Sequence, residues 1–326
     1  MPLLRVSRLQ EKPQAINFIK KAPFWADNWP RSQALFKHWL KQERDWHIGA
    51  DKDNWQWLAA LEALAFDSEI FGYQMGRLNL LMHSAKWPEA AEIKRGVKFL
   101  EGLKAAARKK GMEFLLARVN VRDFLSAQAL EQAGFKLSDI SVEWMLTLDR
   151  LPPLAPVQDV AICPWREANR KPLLKLAASA FSNLDAYADR FTLDTRLRPN
   201  SGALYKKWLE NSLNGQQADQ VLALKHEGQC RGFISLRLPD ILKDRSQAKL
   251  PGSDCAFIVL NALAPLLRGR GLYNVMLLHA LHWLRDQGAY LARIRTKVSQ
   301  SAVISAWSGL GARQVWSDMS FHWWQD

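Results

Sequence analysis

P-L-L-R-G-R-G-L-Y (265–273) joins a predicted strand to the start of a predicted helix. Glycines at such a junction let the backbone turn tightly and approach a ligand, and the first amides of the helix have no partner within the helix. Because these amides carry partial positive charge, they suit a pyrophosphate. For a bare R-G-R-G sequence, a strand-to-helix turn that holds no ligand is the alternative.

The apolar pattern on both sides of this loop predicts one mixed sheet flanked by helices. The following helix, which Gly288 ends, has apolar residues at helical spacing on one side: Leu272, Val275, Met276, Ala280, Trp283 and Leu284. Strands are predicted over 160–165, 220–225, 230–238, 255–263, 289–298 and 313–324, and helices over 166–181, 201–213, 270–287 and 301–309.

The first half of the chain repeats this order of elements at a fixed offset, the one that separates Gly111 from Gly288. In both copies one glycine closes a long helix before a strand, and a second glycine ends a shorter helix before another strand. The repeat predicts an internal duplication in which residues 88–135 superpose on 265–312. The matched pairs are Pro88 and Pro265, Gly111 and Gly288, and Gly134 and Gly311.

A proline-rich stretch over 148–156 predicts the linker between the two copies, because its three prolines interrupt any helix or central strand. We therefore expect a domain over 61–150 and a second domain over 157–326. Residues 1–60, rich in Trp and Lys, carry no motif and are expected to form a helical extension of unknown role.

Composition sets outer limits on function. The 326 residues have a formal net charge of +13, which favours anionic partners such as phosphorylated small molecules, nucleic acid or a membrane surface. The absence of an apolar run of about 18 residues and of a signal peptide predicts a soluble cytoplasmic protein with no membrane partner. Without a basic recognition helix or an aromatic sheet motif, no nucleic-acid partner is expected.

The cysteines and histidines predict neither disulfides nor a metal site. The three cysteines are far apart in the sequence, so we expect free thiols. Among seven histidines only His279 and His282 form a close pair, and no carboxylate or cysteine nearby completes a set of metal ligands.

R-G-R-G-L-Y (268–273) resembles the [QR]-x-x-G-x-[GA] motif that GNAT acetyltransferases carry between their fourth strand and third helix. T-K-V-S-Q-S-A-V-I-S-A-W-S-G-L-G-A-R (296–313) resembles the family's N-x-x-A-x-x-x-Y-x-x-x-G-[FA] motif. W-L-E-N-S-L-N-G (208–215), R-G-F-I-S-L-R (231–237) and F-D-S-E-I-F-G-Y (66–73) are most similar to acetyltransferases of nucleotide-linked amino sugars. The likeness covers most of the chain from Phe66 onward and is tightest over 257–313.

The resemblance implies an α/β (α+β) fold of two tandem GNAT-like domains, each a mixed, mostly antiparallel sheet flanked by helices. The second sheet would splay at its middle and admit acetyl-CoA, used as a co-substrate with no metal. The main chain at Leu263 would pair with pantetheine and polarise the thioester carbonyl. The residues expected to bind the cofactor are Leu263, Arg268, Gly269, Arg270, Gly271, Leu272, Tyr273 and Gln300.

Three residues depart from the family pattern. Tyr273 replaces a small residue, Gln300 stands where Asn is usual, and Trp307 stands where the family has a tyrosine that protonates the departing thiolate. An indole cannot supply that proton. Asp254 and His322 are candidate bases, each with the alternative of an ordinary strand residue, so the catalytic acid and base stay unassigned.

The first copy is expected to have lost the cofactor loop. The offset of the repeat places Ala91, Lys94 and Gly96 where Arg268, Gly271 and Tyr273 stand, and Glu89 and Glu92 add negative charge that would repel a pyrophosphate.

Two functions remain open. The first is N-acetyl transfer from acetyl-CoA to a primary amine of a small molecule, with a nucleotide-linked amino sugar as one candidate. The second is a catalytically silent tandem fold that binds CoA as a sensor or serves as a scaffold. The sequence does not predict an oligomeric state.

Overall fold

The computed structural model describes residues 3–6, 18, 44–51, 54–182, 188–243 and 254–325. These residues form two compact units. Unit 1 comprises Met1–Ile140 together with Asp318–Asp326, and unit 2 comprises Ser141–Ser317.

Unit 1 is a sheet with helices, and its strand order is β1-β2-β3-β4-β5-β12. Among the described residues of unit 1, β4 and β5 pair in parallel, whereas β1 with β2, β2 with β3, β3 with β4, and β5 with β12 pair antiparallel. Its elements are β1 (Leu3–Val6), β2 (Asp45–Asp51), β3 (Asn54–Ala63), α1 (Ala65–Phe71), β4 (Met75–His83), α2 (Ala90–Lys109), β5 (Phe114–Asn120), α3 (Phe124–Gln132), the start of β6 (Lys136–Thr147) and the end of β12 (Arg313–Trp324).

Unit 2 has the same plan, with the strand order β6-β11-β10-β9-β8-β7 and one parallel pair, β10 with β11. In the described part of unit 2, short 3-10 turns lie at Trp165–Glu167, Arg198–Asn200 and Pro265–Leu267. Its other elements are β7 (Val160–Pro164), α4 (Arg170–Ala180), α5 (Arg190–Leu193), α6 (Ser201–Leu213), β8 (Gln220–His226), β9 (Gln229–Arg237), α7 (Asp240–Lys243), β10 (Cys255–Leu263), α8 (Leu272–Asp286), β11 (Leu291–Lys297) and α9 (Ser301–Gly309).

The elements confirm the predicted fold class and the predicted repeat. β5 and β11, α3 and α9, and β6 and β12 begin and end at the same offset that separates Gly111 from Gly288, and α2 and α8 end at that offset too. Matching hydrogen bonds close the long helices: the Met112 amide donates to the Ala107 carbonyl, and the Ala289 amide donates to the Leu284 carbonyl. The duplicated sequence order therefore corresponds to a duplicated fold.

The last strand of each copy completes the sheet of the other unit. β12 pairs with β5 from Asp318 to Trp324, and β6 pairs with β11 from Ser141 to Thr147. The division at the proline-rich stretch, with domains over 61–150 and 157–326, therefore does not coincide with the compact units. Residues 141–147 of β6 pair with β11, so this part of the strand that precedes the prolines belongs to unit 2. The order of elements in the sequence does not predict this exchange of last strands.

Residues 45–51 and 54–63 correct the expectation of a helical extension over 1–60. They form the antiparallel strands β2 and β3, and β1 pairs with β2. Trp46 and Trp57 are completely buried, because aromatic and β-branched side chains pack well on a pleated surface. Most of the other residues before Arg44 lie outside the described ranges.

Each unit has its own hydrophobic core. In unit 2 the buried side of α8 packs on the central strands, and each fully buried Leu or Ile contributes about 1.5 to 3 kcal/mol. The core of unit 1 includes Trp57, Phe99, Leu115, Leu130 and Phe321, and the core of unit 2 includes Ile234, Ile258, Leu277, Leu281, Ile294 and Trp307.

Candidate cofactor site

The sheet of unit 2 opens between its two parallel strands. β10 and β11 pair from Cys255 with Leu291 to Ile258 with Ile294, where their pairing ends. Beyond that point β11 continues along β6, and β10 continues along β9 as far as Leu263. Among the described residues, the C-terminal half of β10 therefore has a neighbouring strand on one side only.

A bulge turns this half of β10 away from β11. The register between β9 and β10 shifts by one residue between Ile258 and Leu260. Further along, the Ala264 amide donates to the Arg231 carbonyl at 2.7 Å. Because hydrogen bonding alternates along an antiparallel strand, the main-chain groups of Asn261 and Leu263 point away from β9 and towards the opening.

The glycine loop follows directly at the open end. Gly269 and Gly271 have φ angles of 73° and 74°, in the left-handed region that favours glycine, and no heavy atom lies within 4 Å of a Cβ built at either position. Gly271 is the N-cap of α8 and provides no side-chain cap. Within the described ranges, the amides of residues 269–273 donate to no backbone acceptor outside the helix.

The predicted cofactor residues occupy this loop and the two strand ends. Arg268 and Arg270 are exposed, and Leu263 and Leu272 are buried. Gln300 is the N-cap of α9, which follows β11, and its side chain makes no capping hydrogen bond. The sequence motif and the open end of the sheet are therefore brought together in unit 2.

Tyr273 and Trp307 pack beside each other in unit 2. Trp307 is completely buried in the core, and the Tyr273 ring packs against the same core with its hydroxyl buried. Burial raises the pKa of Tyr273, and the neighbouring Trp307 indole only partly offsets that rise. Tyr273 therefore stays protonated across the physiological pH range.

Neither candidate base lies at the glycine loop. Asp254 is exposed and precedes β10, whereas the loop follows it; the length of the strand separates the two by about 30 Å. His322 belongs to unit 1, where its residue pairs with Leu116 and its ring lies 4.7 Å from that of Phe114. Asp254 therefore lies at the other end of β10 from the loop, and His322 is a strand residue of unit 1.

Ser235 is the residue at this site that sequence reasoning missed. Its hydroxyl donates to the Leu260 carbonyl at 2.9 Å and accepts from the Leu260 amide at 2.9 Å, at the bulge. The signal in the sequence was a single hydroxyl within the apolar run G-F-I-S-L (232–236). A lone serine in a strand has many explanations, so only the structure identifies this one.

Metal-ligating side chains do not cluster in the part of the chain that the structure describes: no group of three or more His, Cys, Asp or Glu could hold an ion there. Over the same ranges, no helix has the length and apolar character needed to cross a membrane.

The residues that form the open sheet and the glycine loop are similar to a known family. Residues 184–312, within unit 2, match the Acetyltransferase (GNAT) family. No curated protein matches the chain by sequence.

Solved structures share the fold over almost the whole chain. A GCN5-related N-acetyltransferase from Sphaerobacter thermophilus is 11% identical with a TM-score of 0.62, covering 99% of this chain and 95% of that one. A tandem GNAT protein from the clavulanic acid biosynthesis pathway is 13% identical with a TM-score of 0.54, covering 99% and 98%.

A GCN5-related glucosamine N-acetyltransferase region of a fungal multi-domain β-N-acetylglucosaminidase is 14% identical with a TM-score of 0.63. The match covers 99% of this chain and 38% of that protein. At such low identities these structures establish the fold and not the substrate.

Proposed function

We propose that unit 2 binds acetyl-CoA and transfers its acetyl group to a primary amine of a small molecule. One observation carries the proposal: within the described ranges, the amides of residues 269–273 have no backbone partner outside α8, and they lie at the end of β10 that has a neighbouring strand on one side only. A pyrophosphate and an extended amide-containing arm fit these two features together.

The loop amides would hold the pyrophosphate, with Arg268 and Arg270 adding positive charge in solvent. A helix N-terminus alone contributes about 0.3 to 1 kcal/mol, whereas each hydrogen bond to a charged acceptor contributes about 1.5 to 3 kcal/mol. Several converging amides therefore outweigh the dipole. Main-chain groups of Asn261 and Leu263 would pair with the pantetheine arm, and the amide near Leu263 would polarise the thioester carbonyl.

Acetyl-CoA supplies an activated acetyl thioester. In the transfer a bond forms between the amine nitrogen and the acetyl carbon, the carbon–sulfur bond breaks, the amine loses a proton and the thiolate gains one. Trp307 has no proton to give to sulfur, and burial raises the pKa of Tyr273, which makes its phenol a weaker proton donor. A thiol with a pKa of about 8.5 is a fairly good leaving group, so the chain's contribution is binding and polarisation.

The acceptor we propose is an amino sugar, including nucleotide-linked ones. The segments over 208–215 and 231–237 resemble acetyltransferases of such sugars, and the net charge of +13 favours an anionic acceptor. The glucosamine N-acetyltransferase region among the structural neighbours makes glucosamine a direct first acceptor to test.

A silent CoA-binding fold is the second candidate function. The observation that favours it is the burial of Trp307 and of the Tyr273 hydroxyl, which leaves the glycine loop without an assigned acid or base. Such a protein would bind acetyl-CoA as a sensor or scaffold without releasing thiol.

The test is a matched pair of variants, Gly271→Asp and Gly271→Asn. Asp and Asn have the same size and both tolerate a positive φ better than other residues, so they differ by one negative charge at the loop. We expect Gly271→Asp to weaken acetyl-CoA binding by at least about 100-fold and Gly271→Asn by much less, measured by calorimetric titration.

Thiol release over a panel of amines, with glucosamine and nucleotide-linked amino sugars included, then separates transferase from silent fold. Binding without release on any amine supports the silent fold. Equal affinities of Gly271→Asp and wild type would show that the loop does not hold the pyrophosphate.

A further inference from the structure

We propose that Ser235 is a positioning residue that sets which main-chain groups of β10 face the cofactor. The inference rests on the proposed function of unit 2, because it concerns the strand to which acetyl-CoA would pair. Ser235 lies on β9, one strand away from the opening, so it would act through β10 and not touch the ligand itself.

The Ser235 hydroxyl forms hydrogen bonds with both main-chain groups of Leu260. It donates to the Leu260 carbonyl and accepts from the Leu260 amide, each at 2.9 Å, and Ser235 is completely buried. In a regular antiparallel pair these two groups would bond to the main chain of the opposite residue. One side chain therefore binds both the amide and the carbonyl of the residue that follows the bulge.

The bulge decides the direction of every following amide. Before it, Ile258 pairs with Leu236; after it, Leu260 pairs with Ser235, one residue out of step. A strand that kept the first register would turn each later residue to the other side. The main-chain groups of Asn261 and Leu263 would then point at β9, and the opening would lose them.

Unit 1 contains a bulge in the corresponding pair of strands, without the hydroxyl. The pairing of Leu61 with Leu78 matches that of Leu236 with Ile258, which makes Ala60 the counterpart of Ser235 and Leu80 the counterpart of Leu260. Leu80 has a φ of 58°, an uncommon conformation for a residue other than glycine, whereas Leu260 has no positive φ. Without the hydroxyl, the bulge of unit 1 contains a leucine whose backbone is in the left-handed region.

Ser235→Ala tests the proposal, with Ser212→Ala as its matched control. Ser212 is also buried in unit 2 and its hydroxyl bonds to the Trp208 carbonyl on α6, away from β10. We expect Ser235→Ala to raise the acetyl-CoA Kd by at least about tenfold, because a misdirected strand loses more than one hydrogen bond. Ser212→Ala should leave the Kd within about twofold while lowering Tm comparably.

Ser235→Thr keeps the hydroxyl and should restore the Kd to within about threefold of wild type; Ser235→Cys fills the same space with a weak hydrogen-bonding group and should behave like Ser235→Ala. If Ser235→Ala does not fold, the comparison of Ser235→Cys with Ser235→Thr decides in its place. An unchanged Kd in Ser235→Ala or Ser235→Cys overturns the proposal.

Amide hydrogen exchange of residues 259–264, measured without acetyl-CoA, separates this proposal from the function on which it rests. Faster exchange there in Ser235→Ala than in Ser212→Ala supports the positioning role even if wild type binds no acetyl-CoA, a result that would refute only the proposed function. Equal exchange in the two variants refutes the positioning role.

Discussion

The end of β4 in unit 1 and the end of β10 in unit 2 are the same place in two copies of one fold, and they differ in what joins the separated strands. His83 is the last residue of β4, and its Nε2 lies 2.9 Å from the Asp123 carboxylate, which caps α3. The counterparts in unit 2 are Leu263 and Gln300, which form no such bond. A side-chain pair bridges unit 1 where unit 2 is open.

The helix that follows also differs. Leu272, the first residue of α8, corresponds to Arg95, but α2 already begins at Ala90, so about one and a half additional turns replace the glycine loop. Trp57 packs against Gly96, where a Cβ would lie 2.5 Å from the indole. We therefore expect the ability to hold a cofactor to depend on a few residues and not on the fold, and we expect unit 1 to bind no acetyl-CoA.

The largest effect should come from separating the two copies. A fragment of residues 157–326 lacks the strand of residues 141–147 that pairs with β11, and it also lacks the buried core residues Leu146 and Leu148. Each buried leucine contributes about 1.5 to 3 kcal/mol, and a typical domain has only about 5 to 15 kcal/mol in all. We expect no cooperative thermal unfolding of this fragment by circular dichroism.

Co-expression with residues 1–150 is the control, because it returns the missing strand and should restore a cooperative transition. A fragment of 157–326 that unfolds cooperatively by itself would contradict the exchange of last strands and would support the division of the chain at the prolines.

A reciprocal exchange of the bridging residues tests why one unit is open. His83→Leu with Asp123→Gln should cost about 1.5 to 3 kcal/mol of stability, the value of a buried hydrogen bond to a charged group. Acetyl-CoA affinity should stay unchanged. Leu263→His with Gln300→Asp should instead bridge unit 2 and weaken binding by at least about tenfold. Denaturant unfolding and calorimetry measure the two effects, and full affinity in the second variant would show that the bridge does not control access.

The repeat and most elements could be predicted because they are local. The glycines at 111, 134, 288 and 311 end helices wherever the chain folds, and the predicted strand over 255–263 and helix over 301–309 are confirmed residue for residue. The partner of a strand is not local. Neither β6 nor β12 carries a signal that distinguishes pairing with its own copy from pairing with the other.

The site was predictable only where a backbone motif marks it. The R-G-R-G sequence indicates its own turn, and the structure gives Gly269 and Gly271 the positive φ that glycine permits. Asp254 was a candidate because it directly precedes a strand, but proximity in sequence to a strand does not say which end of that strand lies at the opening. Ser235 lay beyond prediction, since its role depends on a one-residue register shift in the neighbouring strand.

A last prediction compares the closed and open ends of β10. Cys255 lies where β10 and β11 are paired; burial, aided by Asp254, raises its pKa to about 11. Because thiol reagents attack the thiolate, about one molecule in a thousand is reactive at pH 8, and reactivity returns only as the pH approaches 11.

Asn261→Cys supplies the comparison, because it places a thiol at a partly exposed residue in the open half of β10. The parent protein and this variant both carry Ser in place of Cys163 and Cys230, so that these thiols do not contribute. The new thiol should react at least about 100-fold faster at pH 8 than Cys255 does. Acetyl-CoA should slow the reaction of the new thiol and leave that of Cys255 unchanged. Equal rates would mean that β10 and β11 separate at both ends. The opening would then be a general property of this strand pair, and the difference between the units would lie only in the loop.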